Sequence, residues 1–248
     1  IKEMGLDDKT FPAKYVLGAI SKEKDKMVSP QEMLERAENS NDLRALHIAR
    51  AYVKYQTQLK DNNALDFDDI IYVTVKLLQE NEDVKQYYQR KFKYVLVDEY
   101  QDTNHMQYLL TSLLAGGYEN ICVVGDDDQS IYRFRGATIE NILNFEKQYR
   151  GSRTIRLEQN YRSPQSILNA ANAVISHNLG RKGKRLWTAN GSGDPITVYE
   201  AYAEGAEANY VAGQIISRSR GKNFKDYAIL YRTNAQSNAL EFAFKRSG

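Results

Sequence analysis

Asp98, Glu99 and Asp102 stand together in "DEYQD", directly behind the apolar run Tyr94, Val95, Leu96 and Val97. A carboxylate just beyond a buried strand can hold Mg²⁺, usually through waters, while its neighbour orients an attacking water. On that reading Asp98 takes the metal and Glu99 the water. The same acids could instead serve only to cap the next helix, through Asp102 or Thr103.

A second group follows in "GDDDQSIYRFRGA", Gly125 to Ala137, which places acids and an amide behind the apolar run "ICVV" at 121–124. Gln129 can sense a phosphate or a water by hydrogen bonding. Tyr132 and Phe134 can stack on bases, and Arg133 and Arg135 can meet phosphates. The bland alternative makes "GDDD" a solvated turn and the two aromatics core residues. A Ca²⁺ loop would need the EF-hand spacing with its distant Glu, and that spacing is missing. A third group, "LEQNYRS" at 157–163, offers Arg162 for a γ-phosphate and Tyr161 for stacking on a purine, although a Tyr-Arg pair alone is more often structural.

These groups need elements to position them. Tyr94 to Val97 reads as a fully buried central strand, because neither face offers a polar residue to water. In open α/β sheets, ligands sit beyond the carboxyl ends of such strands. Met106, Leu109, Leu110, Leu113 and Leu114 follow a helical period before "ICVV", so the stretch predicts a β-α-β unit with parallel strands. A helix at 138–149 and a strand at "TIRL" continue it. Beyond Pro164 come a helix at 165–178, a strand "ITVYEA", a helix at 206–219, a strand "YAILYR" and a helix from Ala235, with "NGSGD" at 190–194 as a loop. Before residue 90 the pattern is helical, with Leu43, Leu46, Val53 and Leu59 on one long helix. Asp66 is the expected N-cap of another, with Asp69 at its N3 position.

Composition limits the function classes. The 248 residues carry 34 basic and 32 acidic side chains, a net charge of +2, so any basic footprint for a nucleic acid must be local. The run "RKGKR" at 181–185 could touch phosphates, though a charged run is usually a solvated face. Cys122 alone cannot form an internal disulfide, suits a reducing cytoplasm, and reads as a small buried hydrophobe inside "ICVV". His47, His105 and His177 lack metal-ligand spacing. No apolar stretch reaches the roughly 18 residues of a membrane span, and no signal peptide opens the chain.

Taken in order and spacing, the three groups resemble the superfamily 1 helicases of the UvrD/PcrA/Rep type. "VDEYQDTN" is similar to the family's motif II, "VVGDDDQSIYRFRGA" to motif III and "LEQNYRS" to motif IV. "ALDFDDII" at 64–71 and "ILYRTNAQS" at 229–237 fit as well. The resemblance covers nearly the whole chain. It implies an α/β fold with RecA-like parallel-sheet motor domains of the P-loop NTPase type, incomplete here and preceded by an all-helical subdomain. Residues 1–64 would be the latter part of that helical subdomain, 65–151 the later half of the first motor domain, and 152–248 the start of the second.

The resemblance also implies an activity: an ATP-dependent 3′ to 5′ DNA helicase, using ATP and Mg²⁺, acting on single-stranded DNA and its junctions with duplex in repair or replication. Carried over residue by residue, Asp98 holds Mg²⁺, Glu99 is the catalytic base, and Gln129 couples the γ-phosphate to DNA. Tyr161 stacks on adenine and Arg162 contacts the γ-phosphate. Tyr132, Phe134, Arg135, Arg232 and Asn234 face DNA. Phe134 stands where the family usually has Trp, and Asn238 where Arg is common. No GxxxxGK[ST] occurs, so the phosphate-cradling loop lies outside this chain, as do the family's later motifs. The chain therefore reads as a fragment, inactive when isolated. Two rival readings are the motor of a helicase-nuclease subunit and a non-catalytic module that binds DNA or docks a partner.

Overall fold

The computed structural model describes residues 1–219 and 223–247, the Arg135 side chain excepted. Two compact units emerge: Ile1–Asn160 with Ala170–Trp187, and Tyr161–Asn169 with Thr188–Gly248.

The first unit opens with five helices, α1 (Ala13–Asp25), α2 (Pro30–Glu38), α3 (Leu43–Asp61), α4 (Phe67–Glu80) and α5 (Glu82–Lys91). Their starts follow from capping chemistry. Ser29 and Glu32 form a reciprocal capping box ahead of α2, with Pro30 in the first turn, where its missing N–H costs nothing. Asp66 and Asp69 do the same for α4, as the spacing predicts: the Asp69 N–H donates to Asp66 Oδ1 at 2.7 Å. Phe11, Val16, Ile20, Ile48 and Tyr52 bury the apolar faces of α1 and α3 together.

One contact among these helices is charged. Lys24 on α1 is fully buried, with its Nζ 2.7 Å from Asp66 Oδ2 and 2.8 Å from Asp69 Oδ1. Gln56 on α3 donates to both Asp69 oxygens at 3.1 Å. The capping box of α4 is thus also an acidic socket for a lysine from α1.

β1 (Val95–Val97), α6 (His105–Ala115) and β2 (Ile121–Val123) form the expected parallel β-α-β unit, in register Val95 to Ile121, Leu96 to Cys122 and Val97 to Val123. Asn104, boxed with Gln107, caps α6. The capping role open to Asp102 and Thr103 therefore belongs to their neighbour. The strand is not buried on both faces as its composition suggests. Leu96 is 76% exposed, and its partner Cys122 is exposed too. An apolar strand is buried only where elements cover both faces, and among the described residues the sheet has two strands. Val95, Val97, Ile121 and Val123 are half-buried, whereas the alternate residues face outward.

The helix expected at 138–149 is two short ones, α7 (Glu140–Leu143) and α8 (Phe145–Gln148), because Asn144 leaves helical geometry between them. Then follow α9 (Gln165–Ile175), α10 (Glu204–Ser219) and α11 (Ser237–Arg246). Ala208, Ala212 and Ala243 let α10 and α11 approach closely. The segments "TIRL", "ITVYEA" and "YAILYR", expected to be strands, carry no regular secondary structure, and Val198 and Leu230 are exposed. A parallel strand is defined by its hydrogen-bonded neighbours, and none pairs with these segments among the described residues. The "NGSGD" loop is present as a loop.

Candidate functional site

At the end of β1 the chain turns sharply. Asp98 is exposed, and its Oδ1 accepts the Glu99 N–H at 2.9 Å. Glu99 has φ 50° and ψ 40°, the left-handed conformation that non-glycine residues rarely adopt. The turn throws both carboxylates to the surface before Tyr100 dives into the core. Such local strain, on the order of 1–3 kcal/mol, persists only where surrounding structure over-determines it.

The surroundings are Gln101 and the loop after β2. The Tyr100 N–H donates to the Val124 carbonyl at 3.0 Å. Gln101, 1% exposed, donates from Nε2 to Glu99 Oε2 at 2.8 Å, while its Oε1 accepts the Asp126 N–H at 2.9 Å. Gly125 leaves room for this amide, since a Cβ there would stand 2.6 Å from Gln101 Oε1. Asp126 Oδ2 in turn accepts from Gln129 Nε2 at 2.7 Å. A continuous hydrogen-bonded path therefore joins Glu99 to Gln129, the candidate base to the candidate phosphate sensor.

The acids of "GDDD" do not form a solvated turn. Arg181 forks onto Asp128 at 2.7 and 2.6 Å, the Lys182 N–H donates to Asp127 Oδ2 at 2.7 Å, and Lys184 pairs with Asp126. Burial would raise the Asp126 carboxyl, but hydrogen bonds from Lys184, Gln129 and the Asp128 amide hold it below the ordinary aspartate range. The "RKGKR" run spends much of its charge on these partners, which a reading by composition alone misses because the contacts span more than fifty residues. Gln101 is the other residue that spacing did not single out, as its amide reaches 25 residues along the chain.

Tyr132 and Phe134 are on the surface, with ring centroids 6.0 Å apart and planes tilted by 37°; Phe134 is 68% exposed. The core alternative for these aromatics is thereby removed. The Arg135 side chain lies outside the described residues. Tyr161, Arg162, Arg232 and Asn234 belong to the second unit and are exposed there. The Tyr161 carbonyl accepts from Asn190 at 3.0 Å. The Arg232 and Thr233 N–H groups both donate to Gln236 Oε1, at 2.8 and 3.0 Å, which fixes the turn carrying Asn234.

The donor set at β1 suits a magnesium ion better than calcium. Among the described residues no cluster of three or more His, Cys, Asp or Glu could cage a cation. Mg²⁺ needs no cage: it keeps several waters and takes one or two carboxylates plus substrate phosphates. Asp98 is exposed, and among the described residues one of its oxygens accepts no hydrogen bond, so it offers such a ligand. No helix among the described residues is long and apolar enough to cross a membrane.

Comparison with known proteins identifies the family. Residues 1–150 match the UvrD/REP helicase N-terminal domain and residues 155–248 the UvrD-like helicase C-terminal domain. The chain is 51% identical over all 248 residues to an ATP-dependent DNA helicase PcrA of Staphylococcus epidermidis, and 50% identical to one of Staphylococcus aureus. In each case it spans 34% of the relative's length. With both parts matched in sequence order, and with the candidate base and phosphate sensor joined in one hydrogen-bonded path, the chain belongs to the UvrD/REP helicase family.

Proposed function

We propose that the protein carrying this chain is an ATP-dependent DNA helicase that moves 3′ to 5′ on single-stranded DNA and opens duplex at junctions, in DNA repair or replication. The observation that carries the reading is the path from Glu99 through Gln101 and Asp126 to Gln129. It gives a base and a phosphate-sensing amide one shared support, as coupled hydrolysis requires.

On this reading residues 65–151 are the later half of a RecA-like motor domain, 152–248 begin a second, and 1–64 are a helical subdomain. Asp98 holds Mg²⁺, which when bound neutralises charge on the ATP phosphates. Glu99 orients and deprotonates the attacking water. Gln129 reads the γ-phosphate, Tyr161 stacks on adenine and Arg162 meets the γ-phosphate. Tyr132, Phe134, Arg135, Arg232 and Asn234 contact DNA, where exposed aromatics supply stacking for bases of any sequence.

Arg162 gives the sharpest test. An arginine that neutralises charge developing on the transferred phosphoryl group contributes only in the transition state. In the full-length protein, Arg162→Ala should cut DNA-stimulated kcat by about 10³-fold or more while weakening ATP binding only moderately. Arg162→Lys should rescue little, because a point charge does not reproduce the planar fork. Near-normal kcat in the Ala variant would remove Arg162 from the active site.

A further inference from the structure

We infer that Gln101 is a positioning residue for hydrolysis: its buried amide fixes the Glu99 carboxylate and makes that fixation depend on the loop that carries Gln129. The inference rests on the reading of Glu99 as the base, and adds to it the means by which the base is held and informed.

The geometry carries it. Glu99 sits at the surface on a left-handed turn, so neither packing nor regular backbone restrains its carboxylate. Its side-chain restraint is the 2.8 Å bond from Gln101 Nε2 to Oε2. Gln101 itself is held at three points. Its side chain is 1% exposed, its Oε1 takes the Asp126 N–H at 2.9 Å, and its backbone carbonyl accepts from Ser130 Oγ at 3.3 Å. Two of these three points lie in loop 125–130, so a shift of that loop moves Gln101, and Gln101 moves Glu99.

The amide is the right group for the task. It presents a donor to a carboxylate and an acceptor to a backbone N–H at once, which a carboxylate or an alkyl chain of the same size does not. Gly125 keeps the passage open, because any side chain there would strike Gln101 Oε1.

The test is made in the full-length protein, with single-stranded DNA saturating, measuring kcat and KM for ATP below the melting temperature of each variant. Gln101→Met removes both hydrogen bonds at similar volume. It should lower kcat by about 10²-fold, the cost of a misplaced catalytic group, with KM for ATP nearly unchanged. Gln101→Glu keeps the shape and sets a second carboxylate against Glu99. It offers Glu99 no donor, so kcat should again fall by about 10²-fold with KM for ATP nearly unchanged. A residue that only fills the core would change the melting temperature and leave kcat of the folded protein as in the wild type in both variants; that result overturns the inference. Should Gln101→Met fail to fold, kcat and KM of Gln101→Glu decide alone. Glu99→Gln separates the two readings. If it abolishes turnover while both Gln101 variants are normal, Gln101 is not a positioning residue and the base assignment stands. If Glu99→Gln turns over normally, the base assignment fails, and this inference with it.

Discussion

Glu99 shows how much a single residue's conformation can say. A glutamate at φ 50° is strained by its own Cβ, and glycine would relieve that strain. Comparing Glu99→Gly with Glu99→Ala removes the carboxylate in both cases and isolates the backbone. The glycine variant should be the more stable by about 1 kcal/mol, read from urea titrations of this chain; equal stabilities would mean that the turn is not held in the left-handed region. Phe134 is the second informative residue. Being largely exposed, it has little burial to lose, so Phe134→Ala should leave the melting curve nearly unchanged. In the full-length protein it should weaken single-strand binding by roughly 1–3 kcal/mol, the worth of a stacked base. Unchanged affinity would take Phe134 out of the DNA contact.

At the scale of elements, the α1 to α4 junction is tied by a buried charge rather than by apolar packing alone. Lys24→Met would leave Asp66 and Asp69 facing a greasy side chain in place of an ammonium. Breaking a buried pair from one side costs about 3–5 kcal/mol, so the variant should unfold at markedly lower urea; a loss below about 1 kcal/mol would mean that water reaches the acids. The same socket sets a pH dependence. Burial pushes the Asp66 carboxyl up, but the Lys24 ammonium, the Asp69 amide and the Tyr55 hydroxyl outweigh it and hold it below the ordinary aspartate range. A depressed acid stabilises the fold above its unfolded pKa and loses that contribution as pH falls through the folded value. Asp25, at the end of α1, has the opposite sign. Burial, with Asp68 nearby, raises its carboxyl to about 6. Its contribution is present below the unfolded pKa near 4 and is lost as pH rises through about 6. Asp25→Asn should therefore raise the melting temperature at pH 7 more than at pH 4, while keeping an acceptor for the Asn104 amide at 2.8 Å.

The same junction shows what sequence can and cannot convey. The Asp66 to Asp69 box was legible because capping is local, three residues apart. Lys24, more than forty residues away, carries no local sign of its burial. Likewise the β-α-β unit and its parallel strands follow from apolar periods, whereas the exposure of Leu96 and Cys122 depends on what covers the sheet. The candidate catalytic pair was readable from Asp98 and Glu99 standing behind a strand. Gln101 was not, because its role lies in contacts to a loop 25 residues on.

The whole chain combines the proposed base, metal-binding carboxylate and phosphate sensor with no GxxxxGK[ST] among its 248 residues. In nucleotide hydrolases that loop cradles the phosphates with successive backbone N–H groups and a lysine. In their proposed roles, the three residues gathered at β1 and β2 act on a phosphate already held; none replaces that cradle. Asp98 and Glu99 are both negative, and the nearby cations Arg181 and Lys184 are occupied by Asp128 and Asp126. Without the cradle, the triphosphate would meet acids at the sheet edge with little positive charge to offset them. The isolated chain should therefore show no DNA-stimulated ATP hydrolysis above background, although its relatives are ATP-dependent helicases of roughly three times its length. Phosphate release from the purified chain, with and without single-stranded DNA, measures this. Turnover that Glu99→Gln abolishes would exclude contamination and show that these residues bind and hydrolyse ATP without a phosphate loop.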